Sequence, residues 1–373
     1  MTPAADATGY DAVLLVSFGG PDGPDDVLPF LTNVTRGRGV PPERLAEVAE
    51  HYLLFGGASP INAQNAALRD AVRAALAAEG LGLPVYWGNR NWDPYLRDAM
   101  AQMAADGVRR ALAFVTAAYS SYSGCRQYRE NLYDAVAQVP GAPMLDKLRP
   151  YFDHPGFVEP FVDATVEALT ELPADLQDGA RLLFSTHSIP VAQADSSGAL
   201  AGPGGAYVAQ HLATARLVAA GVTRDTGVER GWDLVYQSRS GAPAQPWLEP
   251  DVGEHLERLA AEGVPAAVVV PIGFVSDHLE VVYDLDTLAR QTAAETGVAF
   301  ARAATPGTDP RFVAMVVDLV RERLEDRPAA ERAALSGLGT WPDRCVAGCC
   351  PDPRGPRPAL SGADQPVPAQ GSS

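Results

Sequence analysis

Short apolar runs alternate with amphipathic stretches along most of the chain, and each run ends at polar or turn-forming residues. Strands are predicted over 12–18, 85–87 and 110–115, and helices over 25–33, 41–52, 95–106 and a long stretch that ends near 79. Continuous apolar runs of this length are typical of strands covered on both faces of a parallel sheet. Strands and helices that alternate at short spacing therefore predict a doubly wound α/β sheet.

A second series of the same kind begins near Arg181, with strands predicted over 181–185, 234–237, 266–270 and 298–301. Three segment pairs are similar and follow the same order: LLVSFGGP at 14–21 with LLFSTHSIP at 182–190, VYWGNR at 85–90 with VYQSR at 235–239, and MAADGVRRALAFV at 103–115 with LAAEGVPAAVVVP at 259–271. The generic rhythm of α/β units is the alternative explanation. We predict two similar Rossmann-like domains with the active-site cleft between them.

The predicted organisation has four parts. The N-terminal half covers 8–165 and the C-terminal half 166–310, followed by a helix and a cysteine-bearing extension over 311–350. Residues 351–373 are rich in proline and glycine, which predicts a disordered tail.

Composition narrows the possible functions. The 373 residues are 47% hydrophobic and carry a formal net charge of −17, so a nucleic-acid partner, which requires a basic face, is not expected. No apolar run reaches the roughly 20 residues of a membrane span, and residues 1–13 lack the features of a signal peptide. We expect a cytoplasmic protein, monomeric, with at most peripheral membrane contact.

The first stretch with candidate chemistry is RLLFSTHSIP, in which an apolar run ends at His187. Ligands bind beyond the carboxyl ends of parallel strands, and an imidazole there can coordinate a metal or carry a proton near neutral pH. A structural histidine at a strand end is the alternative.

The second stretch is PIGFVSDHLEVVYDLD at 271–286. Asp277, Glu280, Asp284 and Thr287 lie at i, i+3, i+7 and i+10, which places them on one face of a helix. Carboxylates together with an imidazole suit divalent iron, zinc or manganese. A solvated acidic helix face is the alternative.

Several enzyme classes lack their motifs here. The chain has no G-x-G-x-x-G, no G-x-x-x-x-G-K-[ST] and no G-x-S-x-G. The loops after the predicted strands are instead rich in aromatic residues, which favours a large, flat, hydrophobic ligand. These loops carry Phe18, Tyr119, Tyr122, His187, Arg239 and Phe274.

Six segments resemble motifs of the ferrochelatase family, in the family's order: SFGGPDGPDDVLPFL, FGGASPIN, YSSYSGCRQY, FSTHSIP, YQSR and PIGFVSDHLEVVYDLD. The resemblance implies two Rossmann-like halves with a porphyrin between them, and Fe²⁺ as a substrate inserted into that porphyrin. It implies that His187 and Glu280 are catalytic and flank the iron. Asp277 and Asp284 are candidates for a path by which hydrated cations reach it.

Further residues are expected to contact the porphyrin: Ser59, Tyr128, Phe18, Arg36, Arg38, Tyr119 and Tyr122. Arg36 and Arg38 have a surface loop as their alternative, and Phe18 stands where some bacterial relatives have an iron-ligating tyrosine. The Ala-, Gly-, Pro- and Arg-rich composition is typical of a high-GC bacterium, and the sequence resembles actinobacterial ferrochelatases. That resemblance implies coproporphyrin III as substrate and coproheme as product. A protoporphyrin IX ferrochelatase, a chelatase for another metal, and a non-catalytic tetrapyrrole- or iron-binding redox sensor are the alternatives.

The chain has four cysteines, Cys125, Cys345, Cys349 and Cys350. Clustered cysteines in a reducing compartment favour a metal over disulfides, and adjacent cysteines are awkward ligands for one zinc ion. Four thiolates can hold a [2Fe–2S] cluster, which the resemblance to actinobacterial members also implies. Free thiols in a tail are the alternative.

Overall fold

Two four-stranded parallel sheets form the framework of the computed structural model, which describes residues 9–37, 39–198, 200, 202–240 and 245–362. The first sheet has the order β2-β1-β3-β4 and the second the order β6-β5-β7-β8. The strands are β1 Ala12–Ser17, β2 Val85–Asn89, β3 Arg110–Val115, β4 Met144–Lys147, β5 Arg181–His187, β6 Trp232–Gln237, β7 Ala266–Val270 and β8 Ala299–Arg302.

The two sheets repeat each other in detail, which confirms the prediction of two similar doubly wound halves. In each, the first strand in sequence is central and pairs in parallel with both neighbours. Each central strand also makes the same side-chain bond: Ser17 on β1 bonds Asn89 on β2, and Ser185 on β5 bonds Gln237 on β6. Every residue of β1 and β7 is buried, as their continuous apolar sequences predict.

Helices cover both sheets. They are α1 Val27–Val34, α2 Pro42–Leu53, α3 Pro60–Ala78, α4 Leu96–Ala105, α5 Gln127–Gln138, α6 Pro155–Thr170, α7 Val191–Asp195, α8 Gly205–Thr226, α9 Val252–Ala261, α10 Leu279–Val281, α11 Arg290–Thr296 and α12 Pro310–Leu324. Two π-helical segments, Tyr122–Arg126 and Val282–Ala289, precede α5 and α11. None of the helices in the described ranges combines the length and the apolar character needed to cross a bilayer.

The pattern of the sequence did not indicate α5, α6, α8 or β4. Helix α8 buries residues all around its circumference, so it lacks the single apolar stripe that marks a surface helix. Strand β4 is only four residues long. The predicted domain boundary at 165 falls inside α6, and this helix packs against α8, α12 and the second sheet.

The prediction of a disordered tail from residue 351 is corrected for 351–362. Ala359 and Leu360 are buried, and the Arg129 guanidinium donates to the Leu360 carbonyl. The Ser361 hydroxyl accepts from the Lys147 backbone N–H. Composition missed this segment because polar contacts with α5 and β4 anchor it rather than an apolar pattern of its own. Residues 363–373 lie outside the described part of the chain.

The packing of α6 on α12 gives a test of the fold. A Cβ added at Gly156 would lie 2.8 Å from the Met315 Cβ and closer still to the Arg311 carbonyl oxygen. Because a backbone oxygen cannot rotate away, Gly156→Ala should lower the free energy of unfolding by about 1–3 kcal/mol. Gly82→Ala, where no atom lies within 4 Å, is the matched control. Thermal unfolding followed by circular dichroism should show a lower Tm only for Gly156→Ala, and equal Tm values would contradict this packing.

Candidate active site

His187 is the last residue of β5, and its ring is oriented by the next peptide group. Its Nδ1 lies 2.5 Å from the Ser188 carbonyl oxygen, which can only accept, so Nδ1 carries a hydrogen. The Nε2 atom, on the other side of the ring, lies 3.6 Å from Oε1 of Glu280. Both side chains remain partly exposed, at 35% and 41%. The structure thus brings together the two residues expected to be catalytic.

Glu280 belongs to the short helix α10, which His278 caps by accepting the Val281 N–H at 3.4 Å. The π-helical segment that follows carries Asp284. The Ser238 hydroxyl, just past the end of β6, donates a hydrogen bond to the Asp284 carboxylate and lies close enough to Glu280 to lower the pKa of that carboxyl. The Gln237 amide adds a bond of 3.3 Å to Asp284. Hydroxyl and amide donors therefore hold the Asp284 carboxylate in place near Glu280 and the imidazole.

The charges of His187, Glu280 and Asp284 shift one another's pKa values. Burial alone would lower the pKa of His187, but attraction and hydrogen bonding to Glu280 hold it above its usual value. Burial alone would raise the pKa of Glu280, but attraction to the His187 imidazole is stronger and lowers this pKa to about 2. Burial, followed by repulsion from Glu280, raises the pKa of Asp284 to about 7. One carboxylate is therefore kept ionised, while the other exchanges a proton near neutral pH.

The prediction that Asp277 shares one helix face with Glu280 and Asp284 is wrong. Helix α10 begins only at Leu279, so Asp277 precedes it and turns toward Arg302 at 3.1 Å. The same guanidinium also binds Asp286 at 2.7 Å. A carboxylate paired in this way attracts a passing cation less, so among the two predicted path residues only Asp284 lies with His187 and Glu280.

Residues of helix α8 hold the backbone at His187 through hydrogen bonds. The Tyr207 hydroxyl donates to the His187 carbonyl at 2.8 Å. The His211 ring donates through Nδ1 to the Tyr207 carbonyl at 2.7 Å, so its Nε2 accepts from the Thr186 hydroxyl at 2.9 Å. Burial lowers the pKa of His211 to about 3, which keeps this ring neutral. His211 is thus structural, and its ring stacks on Tyr119 at 3.6 Å.

Two tyrosines predicted to line the porphyrin cleft are placed elsewhere. Tyr119 is buried between the halves, and its hydroxyl donates to the Ile272 carbonyl at 3.0 Å. Tyr122 is also buried, and its hydroxyl lies 2.7 Å from Asp352 and 2.6 Å from Arg354 of the C-terminal segment. Both hydroxyls are hydrogen-bonded inside the protein, as is usual for a buried phenol.

The first half contributes an aromatic wall. The Arg90 guanidinium lies over the rings of Phe18, at 5.3 Å, and Tyr128, at 4.9 Å. Ser59 precedes α3 and is nearly buried against Gly20, where an added Cβ would lie 2.7 Å from the Ser59 Cβ. Arg36 is exposed just after α1. Arg38 lies outside the described residues.

Sequence reasoning missed four residues of this region. Gln237 and Ser238 belong to the YQSR motif, but nothing in that motif showed that they would bond Asp284. Ser238 has a left-handed backbone (φ 63°), which is unusual for a residue with a side chain. Tyr52 on α2 lies close enough to Glu280 and Asp284 for their charges, after burial, to raise its pKa. Arg90 could have been found from its position after β2.

The four cysteines, all free thiols, approach one another. The Cys125 and Cys345 thiols lie close enough to shift each other's pKa, as do those of Cys345 and Cys349, and the Sγ atoms of Cys349 and Cys350 are 3.6 Å apart. In the described ranges, however, no group of three or more Cys, His, Asp or Glu side chains could hold a metal ion. The thiols therefore form a chain of pairwise contacts rather than a preformed coordination shell.

The geometry predicts how the histidine titrates. In Glu280→Gln the attracting charge is gone and burial dominates, so the pKa of His187 should fall. An NMR pH titration of the ring protons, assigned by comparison with His187→Ala, measures this shift. Glu257→Gln removes an exposed carboxylate from α9 and should leave the pKa unchanged. An unchanged His187 titration in Glu280→Gln would show that the pair does not interact.

Comparison with known proteins identifies the family of this chain. The family model for ferrochelatase matches residues 10–324. A coproporphyrin III ferrochelatase of Streptomyces coelicolor is 60% identical over 374 residues, covering 98% of this chain and 100% of that one. The coproporphyrin III ferrochelatase of Frankia alni is 60% identical over 358 residues, covering 95% and 90%.

Among solved structures, SirB from Bacillus subtilis with Fe³⁺ superimposes with a TM-score of 0.50 at 12% identity, covering 84% of this chain and 96% of that one. This likeness supports the two-domain fold alone. The family match over most of the chain and the near full-length relatives settle the identity: this chain belongs to the ferrochelatase family.

Proposed function

We propose that this chain inserts Fe²⁺ into coproporphyrin III, forming coproheme and releasing two protons. The observation that carries the proposal is the His187 Nε2 placed 3.6 Å from the Glu280 carboxylate at the end of β5. The names of the similar chains from Streptomyces coelicolor and Frankia alni support coproporphyrin III as the substrate.

The reaction requires that two pyrrole N–H protons leave as the dication enters. In its neutral form His187 can accept one of them at Nε2, because its Nδ1–H is already bonded to the Ser188 carbonyl, and the second proton leaves to water. The Glu280 carboxylate then stabilises the imidazolium, since its own pKa stays low. Positioning of the base and compensation of its charge are thus both supplied before substrate binds.

The carboxylates also suit the delivery of the cation. Glu280 remains ionised and attracts Fe²⁺ toward the ring nitrogens. Asp284, whose pKa is raised to about 7, can release a proton when a cation approaches and rebind one when it leaves. We propose this pair as the inner end of the iron route.

The first half supplies the wall for the macrocycle. Phe18, which is partly exposed, is proposed to contact the macrocycle, with the buried Tyr128 behind Arg90 next to it. Ser59 and Arg36 are proposed to bind propionates together with Arg38. Coproporphyrin III carries four propionates, so such donors suit it better than they suit a porphyrin with two. A protoporphyrin IX ferrochelatase and a non-catalytic redox sensor remain the competing functions. The pairing of a proton acceptor with a carboxylate favours catalysis, because a sensor needs only one of them.

Anaerobic Fe²⁺ insertion with coproporphyrin III and protoporphyrin IX side by side tests the proposal. We expect rapid loss of free-porphyrin fluorescence with coproporphyrin III and little with protoporphyrin IX. Preference for protoporphyrin IX would overturn the substrate assignment. Binding of both porphyrins without insertion would support the sensor.

His187→Ala is the control for the mechanism. It should abolish insertion because the proton acceptor is lost, while coproporphyrin III still binds with an affinity close to that of the unsubstituted protein. Unsubstituted turnover in this variant would remove His187 from the reaction.

We further propose that Cys125, Cys345, Cys349 and Cys350 hold a [2Fe–2S] cluster. What supports this is the donor set, four thiols that approach one another in pairs. The hydrogen bond from Cys345 and burial raise the pKa of the Cys125 thiol, so binding of a cluster would have to displace the thiol protons. The cluster would tie the C-terminal segment to the first half.

Cys345→Ser tests this second proposal. Cys345 lies between Cys125 and Cys349 in the series of thiol contacts, so its loss should remove the visible absorbance of the anaerobically purified protein and lower its Tm. Val346→Ser, an exposed neighbour at 54%, is the matched control and should retain both. If Cys345→Ser keeps the absorbance and Tm of Val346→Ser, the four thiols do not hold a cluster.

A further inference from the structure

Hydrogen bonds hold both ends of the peptide group between His187 and Ser188. Its carbonyl oxygen accepts from the Tyr207 hydroxyl at 2.8 Å, and its N–H donates to the Gln237 carbonyl at 2.8 Å. Tyr207 and Gln237 are both buried, so water competes little for these bonds. Because a peptide group is planar, two bonds on opposite sides of it fix the orientation of its plane. The chain therefore enters Ser188 in one direction.

The Ser188 carbonyl in turn selects one tautomer of the His187 ring. The Ser188 hydroxyl donates to the Leu248 carbonyl at 2.8 Å, so this residue is held through its side chain as well as through its N–H. Its carbonyl oxygen lies 2.5 Å from His187 Nδ1 and can only accept, which keeps the ring hydrogen on Nδ1. The Nε2 atom therefore keeps the lone pair that a proton acceptor needs.

The Tyr207 hydroxyl has little freedom to move away from this peptide group. Tyr207 lies in the first turn of α8, where its backbone N–H donates to the Ser197 hydroxyl oxygen at 2.8 Å. Its ring packs edge-on against the His211 ring one turn later, with centroids 4.4 Å apart. A side chain that is held at its backbone and along its ring loses little further entropy when its hydroxyl bonds the His187 carbonyl.

The number of hydrogens in this network limits which bonds can coexist. The Thr186 hydroxyl gives its one hydrogen to His211 Nε2 at 2.9 Å, because Nδ1 of that ring already donates to the Tyr207 carbonyl. The Thr186 oxygen also lies 2.9 Å from the Tyr207 oxygen, so it competes with the His187 carbonyl for the single Tyr207 hydrogen. Removal of the Thr186 hydroxyl should therefore leave the bond to His187 intact, whereas removal of the Tyr207 hydroxyl abolishes it.

We propose that Tyr207 is a positioning residue for the proton acceptor of metal insertion. Its hydroxyl holds the His187–Ser188 peptide group so that the imidazole keeps its hydrogen on Nδ1 and Nε2 remains the accepting nitrogen. The proposal rests on the function proposed above, because that function assigns a pyrrole proton to His187. Tyr207 acts through the backbone of His187 and not on the substrate.

¹⁵N NMR of histidine-labelled protein, without porphyrin or iron, tests the proposal. At a pH at which the ring is neutral, His187 of the unsubstituted protein should show a protonated Nδ1 and an unprotonated Nε2, assigned by comparison with His187→Ala. In Tyr207→Phe the His187 carbonyl loses its donor, so the two ¹⁵N shifts should move toward each other as both tautomers become populated. A purely structural role for Tyr207 would lower the Tm without changing the tautomer.

Steady-state kinetics gives a second readout. The kcat of Tyr207→Phe for Fe²⁺ insertion into coproporphyrin III should fall by about tenfold or more, which is part of the roughly 10²–10⁴-fold that a positioned base supplies. The KM for either substrate should change by less than about twofold, because substrate binding is not affected. Tyr133→Phe, which removes a partly buried phenol hydroxyl from α5, is the matched control and should keep both the tautomer and kcat.

Thr186→Val separates positioning from stability. It should lower the Tm because the buried His211 Nε2 loses its donor, yet it should keep the hydrogen of His187 on Nδ1. A changed tautomer in Thr186→Val would show that the packing of the whole network orients the ring, which would overturn the role of Tyr207. This variant also decides the question if Tyr207→Phe does not fold.

An unchanged His187 tautomer in Tyr207→Phe would overturn the positioning role, whatever the activity of that variant. Iron insertion by the unsubstituted protein separates this proposal from the proposed function. If the unsubstituted chain does not metallate coproporphyrin III, the proposed function fails. Normal insertion by both the unsubstituted chain and Tyr207→Phe, with the same tautomer in each, refutes only the positioning role.

Discussion

The hydrogen bonds along one face of α8 determine where His187 lies. Tyr207 and His211 hold the β5 end, while Gln210 accepts from the Ser120 backbone N–H at 2.7 Å and Thr214 donates to the Phe152 carbonyl at 2.8 Å. Tyr207, Gln210, His211 and Thr214 follow helical spacing, so one helix face touches both halves. The network is buried, so a shift of either half would leave polar groups unpaired. The geometry of the site is therefore a property of the joint between the halves.

The second half adds its own restraints. Arg302 at the end of β8 binds Asp277 and Asp286, which lie on either side of Glu280 in sequence. Gly273 lets the preceding loop approach β5 so closely that an added Cβ would lie 2.7 Å from the Thr186 Cβ. The acidic residues therefore fall into two groups: those neutralised by Arg302 to hold the segment, and those left to act on a substrate.

The sequence predicted best what depends on burial alone. β1, β3 and β7 are continuous apolar runs because helices cover them, and their observed bounds match the pattern within one residue. The sequence did not predict the elements whose structure depends on contacts with distant parts of the chain. Helix α8 has no single apolar stripe because other elements bury it on several sides. Residues 351–362 are held by hydrogen bonds to Arg129 on α5 and Lys147 on β4.

The same distinction holds at the site. His187 and Glu280 were predictable because one ends a strand and both belong to specific motifs. Asp277 was misplaced because helical spacing was extended two residues before the helix begins. Tyr119 and Tyr122 were misplaced because aromatic loop residues were assumed to face the cleft, whereas their hydroxyls bond a backbone carbonyl and a carboxylate elsewhere. Ser238 depends on a left-handed backbone that periodicity does not reveal.

The two halves repeat one α/β unit, so their matching strand ends can be compared directly. Equivalent strand ends present equivalent positions, and the side chains placed there have diverged. In the second half the residue after the strand is Ser238, whose hydroxyl bonds the Asp284 carboxylate without adding charge. In the first half it is Arg90, a permanent cation stacked on rings. The repeated fold thus carries side chains of different charge at matching positions while both frameworks stay intact.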